Sequence, residues 1–168
     1  MSSSRPGLGP FVFLRRLAAR EPAAAGAFAR ALRHLERGRP HEALPELDAA
    51  LGEAAGGPER ARVHNKRGVA LIALGERDAA LEAFCSAIEC CEAAPAAPLV
   101  SLGNLLLESG HPNDAIDYYR AALRVEAGYA LAHTNLAAAL RALGDRAGSV
   151  RALRAAARAE ARQAPGHA

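Results

Sequence analysis

The sequence predicts an all-α protein built as an array of helical hairpins, and three observations carry that expectation. Half of the 168 residues are apolar, mostly Ala and Leu, with no Trp, four Phe and three Tyr; a scarcity of β-branched and aromatic residues favours helix over strand. Within Ser101 to Glu126, SLGNLLLESGHPNDAIDYYRAALRVE, two segments of helical apolar period, Leu102 to Glu108 and Ala115 to Val125, flank the breaker Gly110-His111-Pro112. That is how a chain writes helix, tight turn, helix. The same stretch then recurs: Gly103 aligns with Gly68 thirty-five residues earlier and with Ala137 thirty-four later, and Gly110 aligns with Gly75 and Gly144. A chain of this length supports one domain with a continuous core.

Taken in order, residues 1–21 form an N-terminal tail. The first twenty carry Arg5, Arg15, Arg16 and Arg20 and no acid, a balance shared by organellar targeting peptides, while Ser, Pro and Gly in the first ten suit a flexible segment. The apolar run Phe11 to Leu14 is too short for a secretory signal, and Phe11 to Arg20 reads as a short helix packing on the first repeat. Residues 22–163 form the array, in units of about 24–57, 61–94, 96–129 and 130–162, followed by a tail at 164–168. The first hairpin has the weakest pattern: Gly38 ends its first helix and Pro40 restarts the chain, but His34 stands where later units have Leu71, Leu106 and Leu140. Pro45 falls early in its second helix, where amides lack intrahelical partners. Gly56-Gly57-Pro58 forms a long joint to the second hairpin, which runs from Ala61 to Glu92 and turns at Gly75. The third turns at Gly110, with Pro95 and Pro98 before it. The fourth turns at Gly144, with Asp145 placed to cap the next helix. Each turn glycine supplies the left-handed residue that lets one helix stop and the next fold back.

Small residues recur where helices must cross closely. Gly68 and Gly103, with Ala31 and Ala137, hold one position of the first helix. In the second helix Ala43, Ala80, Ala115 and Ser149 fall in register, followed seven residues on by Ala50, Ala87, Ala122 and Ala156, with the large fillers Leu47, Phe84, Tyr119 and Leu153 between. This small-large-small order at a spacing of about thirty-four resembles the tetratricopeptide repeat (TPR) family of bacterial type, over residues 24 to 162. The segments SLGNLLLESGHPNDAIDYYRAAL and HNKRGVALIALGERDAALEAFCSAI are its most typical units. Ala55 and Ala127 stand where family repeats usually close with proline, and His64, Leu99 and His133 stand where many carry an aromatic residue.

The resemblance implies an α-solenoid of about four hairpins forming a right-handed superhelix, its inner wall lined by the first helix of every hairpin. That wall is expected to bind a partner peptide or helix. Projected from the small packing residues, it comprises Arg62, Asn65, Val69 and Ile72, then Val100, Asn104, Leu107 and Glu108, then Leu131, Thr134, Asn135, Ala138 and Arg141. Asn amides hydrogen-bond both N–H and C=O groups of a ligand, while Val and Leu bury its apolar side chains. The family's carboxylate-clamp type places Asn at sites like Asn104 and Asn135; both are also common residues bonding between adjacent helices. The clamp's cation is missing, since Val100 stands in its place, although Lys66 and Arg62 could attract an acidic partner.

The net charge of +3 is unevenly spread: Glu76 to Glu126 holds nine acids against Arg77, Arg120 and Arg124, and Arg141 to Ala168 holds six Arg against Asp145 and Glu160. Arg151, Arg154, Arg158 and Arg162 share one helical face. Such a stripe suits nucleic acid, anionic lipid or an acidic protein, or a solvated end of the array; without nearby aromatics it is not a single-strand platform, and no specific nucleic acid is expected. Cys85, Cys90 and Cys91 fall in one predicted helix without a loop-closing partner, which argues for a reducing, cytoplasmic setting and for use as small buried hydrophobes. The six histidines lack ligand spacing, so no metal site, cofactor or catalytic residue is expected, and no segment reaches the apolar length of a membrane span. The expected function is that of a noncatalytic adaptor, assembly factor or chaperone-like module binding another protein. Alternatives are a self-assembling structural scaffold, a homo-oligomer in which the end faces or the groove bind another copy, and a recruiting subunit for a separate enzyme such as a glycosyltransferase.

Overall fold

The computed structural model describes residues 26–163. The tails and the expected helix at Phe11 to Arg20 lie outside them. Eight helices follow one another among the described residues: α1 (Ala27–Glu36), α2 (Pro40–Glu53), α3 (Gly57–Leu74), α4 (Arg77–Glu89), α5 (Ala96–Glu108), α6 (Pro112–Val125), α7 (Ala130–Ala142) and α8 (Arg146–Gln163). They pair as four antiparallel hairpins, α1 with α2 through α7 with α8, and each hairpin packs on the next.

The four hairpin turns share one construction. Gly38, Gly75, Gly110 and Gly144 all have φ between 69° and 83°, a region that costs any residue with a Cβ. In the second turn the Gly75 N–H donates to the Ile72 carbonyl at 3.0 Å and the Glu76 N–H to Leu71 at 2.9 Å. The same pair of bonds closes the other three, satisfying carbonyls that the helix end would otherwise leave open. Pro40 and Pro112 then occupy the first turn of α2 and α6, where no N–H is needed. Asp145 caps α8, its Oδ1 accepting from the Gly148 N–H at 2.7 Å.

Two local differences from the sequence expectation have physical causes. Helix α3 begins at Gly57, inside the stretch expected as a joint, because Pro58 fits a first helical turn. A Cβ on Gly57 would collide with the Cys90 carbonyl oxygen, so a residue without one lets the start of α3 meet the end of α4. The cysteines do not share one helix: α4 ends at Glu89, Cys90 caps it and Cys91 follows, all three thiols partly buried and unbridged.

The crossing residues behave as their register requires. Leu47, Phe84 and Tyr119 are buried to 2% exposure or less, and a Cβ on Gly68 or Gly103 would run into the ring of Phe84 or Tyr119 respectively. Glycine thus stands opposite the two rings, and Ala31 and Ala137 stand in register with Leu47 and Leu153. Leu153 departs from the buried-filler expectation at 46% exposure, since no further hairpin covers it among the described residues. The core runs through the array without a break, Leu44 and Val69 joining the first hairpin to the second and Ile88, Leu106 and Tyr118 joining the second to the third.

Besides these neighbour contacts, α3 touches α5 and α5 touches α7. The first helices of successive hairpins therefore lie side by side as an inner row, with α2, α4, α6 and α8 outside them. This is the right-handed α-solenoid that the repeat pattern implies.

Candidate functional site

The inner row α3, α5 and α7 carries the residues expected to line the wall, and the structure sorts them. Asn104 on α5 and Asn135 on α7 meet: Asn135 Nδ2 donates to Asn104 Oδ1 at 2.7 Å. The Tyr119 hydroxyl from α6 donates to the same Asn104 oxygen at 2.8 Å. Both lone-pair directions of that oxygen are thereby occupied, which fixes the amide plane and leaves Asn104 Nδ2 and the Asn135 side-chain oxygen outside these two bonds. Tyr119 belongs to this site although its register reads as pure packing. The signal that could have found it is its hydroxyl, because a Tyr at a buried position in register with Leu47 and Phe84 needs a hydrogen-bond partner.

Burial and the nearby charge of Glu108 push the Tyr119 phenol well above its ordinary range, so it remains a donor at any physiological pH. The rim at the end of α5 is polar: Glu108 pairs with Arg77 at 3.4 Å, and Arg77 also donates to Ser109 Oγ at 3.4 Å. Both partners are half exposed, so this pair orders the rim more than it stabilises the fold.

Around the amide pair, Leu107, Leu131 and Ala138 are partly exposed and supply apolar wall, with Thr134 and Arg141 open to solvent. Val69 and Ile72 on α3 are half-buried against the core. Arg62 lies over the Phe28 ring, 5.3 Å from its centre, a cation–π contact that holds the guanidinium against α1.

Two of the expected wall residues, Val100 and Asn65, sit deeper than expected, and so does Lys66, expected as an attraction for acidic partners. Val100 is 1% exposed and belongs to the core of the third hairpin with Leu99, Ile116 and Tyr119. The first turns of α5, from Ala96 through Pro98, Leu99 and Val100, are almost wholly apolar, so they sink between neighbouring hairpins. Asn65 is 6% exposed, and its Oδ1 has no hydrogen-bond partner among the described residues. Lys66 is 3% exposed, which removes it as an open attraction for acidic groups. His64 beside them is held below its ordinary pKa, first by burial and then by the charges of Arg60 and Arg67. Among the described residues no three metal-capable side chains come together, and no helix is long and apolar enough to cross a membrane.

A family model described as tetratricopeptide repeat matches residues 28–98 and 100–168. The chain belongs to the tetratricopeptide repeat family. No curated protein matches it. Among solved structures it is similar to MamA at 19% identity, with a TM-score of 0.66 over 92% of this chain and 88% of that one. It is also similar to the second TPR of Spaghetti (RPAP3) bound to HSP90 peptide SRMEEVD, at 16% identity and a TM-score of 0.54 over 65% of this chain and 95% of that one. The APC/C hetero-tetramer Cut9-Hcn1 matches at 16% identity and a TM-score of 0.69, over 89% of this chain and 28% of the other. At these identities the likeness is one of fold.

Proposed function

We propose that this protein is a noncatalytic interaction module that holds an extended peptide or a helix of a partner protein against the inner row α3, α5 and α7. The observation that carries the reading is the amide pair Asn104 and Asn135, locked by Tyr119 across two hairpins. A locked amide loses little side-chain freedom on binding, so its hydrogen bonds to a ligand backbone count more fully toward affinity. Leu107, Leu131 and Ala138 beside it receive apolar side chains, the usual division of labour in peptide grooves.

The solved RPAP3 domain holds a peptide ending in acidic residues, which supports peptide capture by this architecture. This chain is not built for the same charge, since Val100 is apolar and buried and Lys66 is buried as well. The expected ligand is therefore recognised through neutral backbone amides and apolar side chains. An adaptor or assembly factor acting in the cytoplasm fits this chemistry, and three unbridged thiols support a reducing setting.

The test is affinity capture from the source cell with crosslinking, comparing wild type with Asn104→Ala plus Asn135→Ala. Loss of specific partners with an unchanged helical spectrum is expected. An unchanged partner list removes the groove from the account.

A further inference from the structure

Helix α8, the last of the described helices, turns to solvent a face that no other described element covers. Its buried side is made of Gly148, Ser149, Ala152, Ala156 and Ala159. The opposite side carries Arg151, Arg154, Arg158 and Arg162, with Val150 and Leu153 nearly half exposed along one flank. None of these arginines forms an ion pair among the described residues.

A face of opposite sign stands on α4. Asp78, Glu82 and Glu89 all lie on its outward side, exposed and without an ion-pair partner among the described residues, and Leu81, 41% exposed, lies along one flank. The two patterns match in reverse. Counting forward from Asp78, carboxylates fall at steps of four and eleven; counting backward from Arg162, Arg158 and Arg151 fall at the same steps. Both stripes are about 16 Å long at 1.5 Å per residue.

We infer that α8 of one copy docks antiparallel on α4 of a second copy, pairing Arg162 with Asp78, Arg158 with Glu82 and Arg151 with Glu89. Arg154 then meets Ser86, and Leu81 lies over the small residues Ala157 and Ala161. Antiparallel docking also sets the two helix dipoles head to tail. The second copy is the occupant the charges select, because every chain carries both faces and the spacing of one fits the other. A two-fold dimer makes this contact twice, α8 on α4 in each direction, whereas one contact per pair of copies propagates into an open chain or closes as a ring. A single helix pair buries less than the roughly 800 Å² per partner of a stable interface, so the association is weak and depends on salt.

Sedimentation equilibrium tests this. At about 0.01 M salt, where charges act over about 30 Å, the average mass should rise above the 17.5 kDa of one chain as concentration increases; at about 1 M salt, where that range is about 3 Å, it should return to one chain. Two charge-reversed proteins give the decisive comparison, Arg151→Glu with Arg158→Glu and Arg162→Glu in one, and Asp78→Arg with Glu82→Arg and Glu89→Arg in the other. Each alone should be monomeric, their mixture should associate, and a chain bearing both sets should regain self-association. The positions are exposed, so wild-type helical spectra are expected throughout. A wild-type mass independent of concentration at low salt overturns the proposal. So does failure of both the mixture and the doubly reversed chain to associate, or loss of binding to phosphatidylserine vesicles in the Arg-reversed protein while its self-association persists.

Discussion

At the scale of single residues, the pairs that decide the packing are a glycine and a ring. Gly103→Ala gains about 1 kcal/mol of helix propensity but forces a methyl into the Tyr119 ring, at a cost of about 1–3 kcal/mol. A net loss of up to about 2 kcal/mol is expected in denaturant titration. Combining it with Tyr119→Leu, the pairing used by the buried Ala31 and Leu47, should cost less than the two single changes added together, a coupling that a double-mutant cycle measures directly. Tyr119→Phe tests the hydroxyl. It should weaken partner binding about 2–10-fold, the worth of one neutral hydrogen bond. It should also flatten the alkaline limb of stability. In the unfolded chain this tyrosine ionises near 10, whereas burial and then Glu108 keep it neutral to higher pH in the fold; stability therefore falls as pH rises past about 10. Comparing denaturation midpoints of the two proteins on either side of that pH isolates the contribution from other titrating groups. The register of small and large residues was legible in the sequence because crossings repeat with the chain's own period. The bond from Tyr119 to Asn104 was not, since it joins two helices fifteen residues apart at an angle no spacing encodes.

At the scale of the helix, the hairpin turns were readable because glycine followed by proline or a polar cap states where one helix must stop. Substituting Gly110, whose φ is 83°, by Ala should cost about 1–2 kcal/mol, visible as a lowered melting temperature. A Cβ there meets nothing within 4 Å, so the loss would report backbone conformation alone. Helix starts were harder to read, as α3 shows: whether Gly57 is joint or helix depends on the Cys90 carbonyl it meets, a contact between elements. Helix α3 also holds a titration that belongs to the element. Burial, then Arg60 and Arg67 one turn to either side, hold His64 below its ordinary pKa. The unfolded chain protonates it near 6.5, so this contribution is present above that pH and is lost as pH falls below it. His64→Gln should remove part of the acid-side decline in an unfolding series. The depth of Val100 was likewise hidden, because a projection from one helix treats its first turn like its middle, whereas here the whole first turn is apolar and is taken up by flanking hairpins.

At the scale of the whole molecule, stability is local and additive, since each hairpin touches its neighbours and little else. Hydrogen exchange should show a gradient, with amides of α5 and α6 the slowest and those of α8 among the fastest. Among the described residues helix α8 is packed on one side only and exposes Val150 and Leu153. Uniform protection along the array would contradict this. The exposure of Leu153 could not be read from its own repeat, because it depends on what lies beyond. The inner wall was legible as a row of helices, yet which of its side chains reach solvent depends on how tightly successive hairpins nest. One bond bears on that nesting. Asn135 reaches from the fourth hairpin to Asn104 of the third, whose oxygen is also gripped by Tyr119, so the two hairpins are latched on their concave side. An array of this kind flexes like a coil spring, opening and closing its curvature by small rotations at each joint. A latch on the inner edge of one joint sets its resting pitch, and a ligand gripping the same two amides would stiffen that joint while leaving the others compliant.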